Sequence, residues 1–172
     1  MGEKGTVYFF TGLAGAGKTT IGGLFHRRLK ARKPNVILAD GDKMRIITLS
    51  TGYSTQERRD RALQSFRLWK EIADQGIDVV VCSIAMYDAV RDWNRENIEN
   101  YVEIYVKTNW ETLIRRDQKG LYSSGRKDVV GVDLPYDEPK EPDAVVENDG
   151  QETPEVIVDR LWRAFGLEEA LG

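Results

Sequence analysis

The segment GLAGAGKT at residues 12–19 constrains the fold of this chain more than any other feature. It matches the pattern GxxxxGK(S/T), it follows an apolar run at residues 6–10, and a helical pattern that ends before Pro34 comes after it. Glycines allow the backbone to curl so that successive N–H groups point at one anion, and the dipole of the following helix adds partial positive charge there. A strand, a glycine-rich loop and a helix in this order predict a site that holds the phosphates of a nucleotide.

The end of this loop predicts how the phosphates are held. In loops of this type the lysine reaches the β- and γ-phosphates, and the following hydroxyl group binds Mg²⁺. Lys18 and Thr19 occupy these positions, and Arg115 or Arg116 is expected to stack on the adenine or to steady the phosphates. The sequence lacks the NKxD pattern that reads guanine, the nearest string being NDG at residues 148–150, so ATP with Mg²⁺ is the expected donor. The predicted ATP-binding residues are Gly12, Ala14, Gly15, Ala16, Gly17, Lys18, Thr19, Thr20 and Arg115.

Apolar runs alternate with helical patterns along the chain. The predicted strands are apolar throughout, which is typical of strands that are covered on both faces. They lie at residues 6–10, 36–39, 77–84, 101–107 and 143–148. We therefore predict one α/β domain over residues 1–172, with the three-layer P-loop nucleoside-triphosphate hydrolase fold, a mainly parallel sheet, and ligands at the carboxyl ends of the strands.

Residues 119–143 contain most of the glycine and proline in the last third of the chain and show little periodicity. An irregular segment of this length within a compact domain is usually functional. We predict that it forms a lid that closes over the ligands and excludes water.

Charge and cysteine content limit the partners and the location. The chain has 172 residues and a net charge of −3, which argues against general nucleic-acid binding but leaves room for a local basic cleft. Its apolar N-terminal run is too short for a membrane span, so no membrane partner is expected. Cys82 is the only cysteine, so no internal disulfide can form, and a reducing cytoplasm is the expected location.

The string ADGDKMR after the second predicted strand supplies the carboxylates that phosphoryl transfer needs. Asp40 and Asp42 fall at the carboxyl end of that strand, on the edge nearest the phosphate loop. One can take a proton from an acceptor hydroxyl group or orient it, while the other helps to hold Mg²⁺, and Arg45 can bind an anionic acceptor. An ordinary polar Asp-Gly turn is the alternative. We predict catalytic roles for Asp42, Lys18 and Asp40, and a metal site at Thr19 and Asp40.

Five strings together resemble motifs of the adenylylsulfate (APS) kinase family over nearly the whole chain. They are GLAGAGKTT, DGDKMR, GYSTQER, RDQKGLY and GVDLPYDEPKEPDAVV. The resemblance implies a kinase that transfers the γ-phosphate of MgATP to the 3′-hydroxyl group of adenosine 5′-phosphosulfate, with Asp42 as the base. It also implies that Tyr53 and Arg58 hold the acceptor nucleotide, that Lys119 and Leu121 close on it from the lid, and that the protein is a homodimer.

Departures from the family motifs fall on the acceptor side. Arg61 stands where the family has asparagine. IAMYD stands where it has ISPYR, so Ala85 and Asp88 replace a serine and an arginine while Tyr87 remains. An aspartate in place of an arginine removes an attraction for an anion and adds a repulsion. These changes favour an altered acceptor over the alternative, which is drift at positions that do not touch the ligand. One such acceptor is cytidine diphosphoramidate, which a related kind of kinase phosphorylates in capsule phosphoramidate biosynthesis, and Asp88 can accept a hydrogen bond from an amino group that APS lacks there.

Three functions are open on these residues: an APS kinase, a kinase for another nucleotide such as cytidine diphosphoramidate, and a nucleotide-sensing protein without catalysis. The presence of Lys18, Asp42 and Lys119 argues against the third. The expected partners are ATP and a small nucleotide-like acceptor. The predicted acceptor-binding residues are Asp42, Arg45, Tyr53, Arg58, Arg61, Ile84, Ala85, Tyr87, Lys119 and Leu121.

Overall fold

A five-stranded parallel sheet forms the centre of the protein. The computed structural model describes residues 3–49 and 51–168. The strands are β1 (Val7–Thr11), β2 (Val36–Asp40), β3 (Asp78–Cys82), β4 (Tyr101–Lys107) and β5 (Ala144–Glu147). Neighbouring strands pair in parallel in the order β2-β3-β1-β4-β5, so β1 is central. The prediction of a mainly parallel sheet is confirmed.

Helices cover both faces of this sheet. They are α1 (Lys18–Lys30), α2 (Gly41–Ile47), α3 (Thr55–Asp74), α4 (Asp88–Asn97), α5 (Trp110–Arg116) and α6 (Pro154–Ala164), with a 3₁₀ turn at Gln118–Gly120. Successive side chains of a strand point to opposite faces. Tyr8 of β1 accordingly joins a core cluster with Phe25 and Trp162, whereas Phe9 joins a second cluster with Phe66. The three-layer prediction is thus confirmed. None of the described helices is long and apolar enough to cross a membrane.

An aromatic cluster fixes α1, the helix that follows the phosphate loop. Phe25 of α1 is fully buried, and its ring centroid lies 5.0 Å from that of Tyr8 and 5.5 Å from that of Phe10, both in β1. On its other side the ring of Trp162 in α6 lies at 5.4 Å with a T-shaped geometry. Such aromatic pairs contribute more than the burial of their area alone. The helix is therefore held between the central strand and the last helix.

The acidic turn that the sequence predicts after β2 is the start of a helix. Asp40 ends β2 and caps α2, because its Oδ1 accepts hydrogen bonds from the N–H groups of Asp42 (3.0 Å) and Lys43 (3.2 Å). An aspartate at this position satisfies N–H groups that have no partner inside the helix. The segment is therefore the N-terminus of α2 and not an isolated Asp-Gly turn. Gly41 is a poor helix former, and the seven residues of α2 are too few to show helical periodicity.

The predicted lid divides into two parts with different contacts. Residues 119–134, the lid front, extend along the cavity described below, whereas residues 135–143, the lid base, lie against α4 and β4. The buried Arg91 of α4 donates from Nη2 to the carbonyl oxygen of Asp137 (2.8 Å). The carboxylate of Asp143 accepts from the backbone of β4 (2.7 Å). The lid base is therefore bonded to the body of the fold, and the lid front is the part that borders the site.

Candidate active site

A cavity of about 420 Å³ opens at the carboxyl ends of β1, β2 and β3. The phosphate loop, the start of α2, the inner face of α3, the segment after β3 and the lid front supply its walls. Ligands of open parallel sheets bind at this edge, in the crevice where the strand order reverses. The cavity is therefore the candidate active site.

The phosphate loop has the curvature that its sequence predicts. φ is +80° at Gly15 and +101° at Gly17, in the left-handed region that favours glycine. Lys18 folds back over the loop and donates from Nζ to the carbonyl oxygen of Leu13 (2.8 Å). Removal of the ammonium group from water lowers the pKa of Lys18 to about 8. Four of the predicted ATP-binding residues line the cavity: Ala14, Gly15, Lys18 and Thr19. Four others lie in the rest of the loop and the first turn of α1: Gly12, Ala16, Gly17 and Thr20.

The predicted metal ligands lie side by side. Thr19 donates from Oγ1 to Oδ2 of Asp40 (3.0 Å), while the other carboxylate oxygen of Asp40 caps α2. Mg²⁺ is usually bound by one or two protein oxygens together with substrate phosphates and water, rather than by a cage of carboxylates. A hydroxyl group and a carboxylate next to a phosphate loop fit this donor set.

The lid brings a cation to the predicted base. Lys119 donates from Nζ to Oδ2 of Asp42 over 2.7 Å, and both side chains are largely exposed. Lys119 itself has a φ of +57°, so the backbone turns sharply where the lid begins. The two residues that the family resemblance assigns to acceptor chemistry are thus in contact across the cavity.

An aromatic ring and three arginines form the predicted acceptor side. The guanidinium carbon of Arg45 lies 3.8 Å from the ring centroid of Tyr53, and that of Arg58 lies 5.7 Å from it. Arg58 also donates to the backbone carbonyl group of Asp128 in the lid front (2.8 Å). Arg61 lies one turn further along α3, and burial first, then the charges of Arg45 and Arg58, lower its pKa. Three guanidinium groups this close together attract an anionic ligand.

The segment after β3 divides between the cavity and the core. Ile84, Ala85 and Tyr87 line the cavity, as does Leu121 of the lid front. Met86 is fully buried in the core, and Asp88 starts α4, where its carboxylate binds Arg91 and Lys140. Asp88 lies outside the cavity lining, because the chain turns into α4 and carries its side chain toward the lid base. In this structure Asp88 is paired with Arg91 and Lys140 and does not border the cavity, and its contact with the acceptor stays a prediction.

Arg115 and Arg116 have different surroundings. The guanidinium group of Arg115 donates to Thr112 Oγ1 within α5 (3.2 Å). That of Arg116 donates to the carbonyl oxygen of Gly15 in the phosphate loop (3.0 Å). Of the pair, Arg116 contacts the loop in this structure, while an ATP contact of Arg115 stays a prediction.

Other residues of the cavity were not predicted from the sequence. Arg126 and Lys127 border it from the lid front, and Ser65 and Trp69 border it from α3. For Arg126 and Lys127, the feature of the sequence that points to the site is their place inside a long irregular segment. Trp69 gave no signal, because its helical spacing is that of an ordinary core residue.

Cationic side chains outnumber anionic ones in the cavity, although the whole chain has a net charge of −3. The cationic residues are Lys18, Arg45, Arg58, Arg61, Lys119, Arg126 and Lys127, and the anionic residues are Asp40, Asp42 and Asp128. Low-dielectric walls of one charge sign concentrate ligands of the opposite sign. The cavity is therefore suited to anionic, phosphate-bearing ligands.

Comparisons with known proteins agree with this geometry. Residues 4–147 match the adenylylsulphate kinase family. The cytidine diphosphoramidate kinase of Campylobacter jejuni is 40% identical over 94% of this chain and 96% of its own length. The adenylyl-sulfate kinase of Picosynechococcus is 35% identical over 91% of this chain and 92% of its own length. The solved APS kinase of Mycobacterium tuberculosis, in complex with AMPPNP and APS, is 24% identical and has the same fold, with a TM-score of 0.86 over 96% of this chain and 99% of that one.

Proposed function

The chain belongs to the adenylylsulphate kinase family of phosphotransferases, and from this premise we propose that it transfers the γ-phosphate of MgATP to a ribose hydroxyl group of a nucleotide-like acceptor. One observation carries the proposal: Lys18 of the phosphate loop, the aspartates Asp40 and Asp42, and Lys119 of the lid all border one cavity. A protein that only senses a nucleotide has no need of a base beside the phosphate site, so this arrangement favours catalysis.

In the donor half, the proposed roles follow from charge. Lys18 and the N–H groups of the loop hold the β- and γ-phosphates. Thr19 and Asp40 hold Mg²⁺, which when bound neutralises charge that develops on the transferring phosphoryl group. Phosphoryl transfer needs little covalent chemistry from the protein, so positioning and charge stabilisation supply most of the rate.

In the acceptor half, Asp42 takes the proton of the ribose hydroxyl group as the hydroxyl oxygen attacks the γ-phosphorus. The new P–O bond forms while the bond from the γ-phosphorus to the β,γ-bridging oxygen breaks, and ADP leaves with that oxygen. For this step Asp42 must release Lys119, and the phosphates offer the lysine another anionic partner. Closure of the lid front then excludes water, which would otherwise accept the phosphoryl group.

We propose cytidine diphosphoramidate as the acceptor. Two observations support this choice: the 40% identical relative bears that activity in its name, and the cavity departs from the APS kinase motifs at Arg61 and Ala85, both of which line it. Arg61 adds a third guanidinium group to the acceptor side. It is suited to a charged oxygen of a diphosphate-type group.

APS is the second candidate acceptor. The residues that the family resemblance assigns to APS binding, Tyr53, Arg58 and Lys119, are retained and border the cavity. A relative named adenylyl-sulfate kinase is 35% identical over most of both chains.

A panel of acceptors tests the proposal. The protein is incubated with MgATP and, in separate reactions, cytidine diphosphoramidate, APS, CDP and AMP, and ADP release is followed. Higher kcat/KM with cytidine diphosphoramidate than with APS is the expected result. A higher value with APS would overturn the proposed acceptor but keep the kinase. Tight ATP binding without turnover of any acceptor would instead support a sensor.

Arg61→Asn tests the role of the third arginine. Loss of a charge-assisted hydrogen bond is expected to lower kcat/KM for cytidine diphosphoramidate about ten- to a hundredfold, with the KM for ATP unchanged. Arg67→Asn is the matched control, because Arg67 lies on the same helix with its guanidinium group near Trp93 and outside this cavity. Equal losses for the two variants would contradict the assignment.

We also propose a cytoplasmic homodimer. The location is supported by the lone, buried Cys82 and by the need for ATP. The proposal of a dimer rests on the family resemblance. Size-exclusion chromatography with light scattering, which measures the mass of the protein in solution, tests it.

A further inference from the structure

Among the described side chains outside the GxxxxGK(S/T) pattern that donate to the backbone of the phosphate loop, three bind the carbonyl oxygens of residues 15 and 16. Asn148 donates from Nδ2 to the carbonyl oxygen of Ala16 (2.7 Å), and Thr108 donates from Oγ1 to the same oxygen (3.3 Å). Arg116 donates to the carbonyl oxygen of Gly15, as described above. None of the three donors lines the cavity, so they hold the loop from outside the ligand site.

Asn148 is the centre of this group. Its own carbonyl oxygen accepts from Arg116 Nη2 (2.8 Å), and it shares the single hydroxyl proton of Thr108, at 3.2 Å from Oγ1, with the carbonyl oxygen of Ala16. Its N–H group donates to the carbonyl oxygen of Lys107 (2.8 Å), which continues the pairing of β5 with β4. The backbone of Asn148 is thus fixed on both sides, and the side-chain amide starts from a rigid position.

The bond to Ala16 determines the direction of the next N–H group. In a trans peptide the C=O and N–H bonds point in opposite directions. A carbonyl group held toward Asn148 therefore turns the N–H group of Gly17 away from Asn148, to the side where the loop curves around its anion. Contact at Gly17 is also close: a Cβ atom there would lie 2.4 Å from Asn148 Nδ2. Glycine at this position is needed for the amide as well as for the φ of +101°.

We propose that Asn148 is a positioning residue for phosphoryl transfer: its amide fixes the Ala16–Gly17 peptide so that the N–H group of Gly17 donates to the phosphate chain of ATP. The inference rests on the proposed use of ATP as donor. An asparagine suits this task, because its NH₂ group donates to a carbonyl oxygen, whereas a carboxylate has no donor. An aspartate of the same shape would place an acceptor against an acceptor.

Asn148→Asp tests the inference in the full-length protein. ATP affinity is measured by calorimetry, and the KM values for ATP and for the acceptor are measured together with kcat. We expect the Kd and KM for ATP to rise about ten- to a hundredfold, the range for a lost hydrogen bond to a charged group, while the acceptor KM stays unchanged. Asn97→Asp is the matched control, since Asn97 makes one hydrogen bond to a carbonyl group within α4 (2.8 Å) and carries the same change of charge.

The outcomes separate this inference from the proposed function. If the wild-type protein does not bind ATP, the proposed function fails. If the wild type binds ATP and folded Asn148→Asp binds it within about twofold of the wild type, only the positioning role is overturned. A lower melting temperature with unchanged ATP affinity means a structural role and also overturns it. If Asn148→Asp does not fold, Asn148→Ala is measured against the same expectations.

Discussion

At the scale of single residues, the aspartates at positions 40 and 42 differ in the hydrogen-bond partners of their carboxylates. Both carboxylate oxygens of Asp40 are engaged, one by the N-terminus of α2 and the other by Thr19. Asp42 is bound through one oxygen by Lys119, a flexible side chain on the lid front. A fixed carboxylate suits a metal ligand, and a carboxylate with an exchangeable partner suits a base. The contacts thus favour Asp42 as the base, a choice that the residue types alone leave open.

Asp42→Asn is expected to keep ATP binding and lose transfer. The amide retains the shape of the side chain but cannot take the proton, and general base catalysis contributes about a hundred- to ten-thousandfold to rate. Calorimetry gives the Kd for ATP, and ADP release at saturating acceptor gives kcat. Asp60→Asn, an exposed change on α3, is the control and keeps normal kcat. Normal turnover by Asp42→Asn would rule out this base.

The Lys18 pKa of about 8 predicts a pH dependence of ATP binding. Phosphate groups favour the charged ammonium, so bound ATP raises this pKa. Below about pH 8 the lysine is already charged, and affinity does not depend on it. Above about pH 8 binding must take up a proton, and the Kd for ATP rises up to tenfold per unit. Calorimetry near pH 7 and near pH 9, in buffers of different ionisation enthalpy, measures the number of protons taken up when ATP binds. The variant Lys18→Arg, whose guanidinium group stays charged, is expected to show no such proton uptake.

The sequence predicts the parts of the site that lie close together along the chain. Lys18 and Thr19 are neighbours, and the spacing of the aspartates places both at the end of β2, so pattern and position suffice. Asn148 bonds Ala16 across 132 positions, and neither its place at the end of a predicted strand nor the string NDG indicates this contact. A contact between such distant segments depends on the strand order, which no local pattern reveals.

At the scale of elements, the predicted lid consists of a base that is bonded to α4 and β4 and a front that borders the cavity. Arg91 is buried and Glu103 of β4 lies close to it, so the lid base is bonded to charged groups inside the fold. Residues 123–128 of the lid front are exposed instead. The sequence predicts a single lid over residues 119–143, because charged residues of α4 and β4 look like ordinary surface residues until the structure shows what they bind.

Limited trypsin digestion tests this division. Arg126 and Lys127 in the lid front are expected to be cut faster than Lys140 in the lid base, because cleavage requires local opening of the backbone. A non-hydrolysable ATP analogue with the acceptor is expected to slow the first cut by closing the lid front. Mass spectrometry of the fragments gives the order of cleavage, and an earlier cut at Lys140 would show that the base is not anchored.

At the scale of the whole molecule, the phosphate loop depends on the core behind it. Phe25 connects α1 with β1 and α6, so its loss leaves a cavity where three elements meet. Phe25→Ala is expected to lower the free energy of unfolding by about 3–5 kcal/mol. Urea denaturation measures this free energy. Leu24→Ala, at a partly exposed neighbouring position, is the control and is expected to lower the free energy of unfolding by less. Equal losses would mean that α1 is not held by the aromatic cluster.

The strand order β2-β3-β1-β4-β5 separates the two halves of the cavity along the chain. The proposed acceptor contacts outside the lid front come from one unbroken stretch, residues 42–87, which contains most of α2 and all of α3 and β3. The donor contacts and their supports come from residues 12–20, from Asp40 at the end of β2, and from residues 108–148. Substitutions among the cavity-lining residues of the stretch 42–87 can therefore alter the acceptor contacts while the phosphate loop and its supports stay unchanged. The acceptor preference of such a fold can thus change separately from its use of ATP.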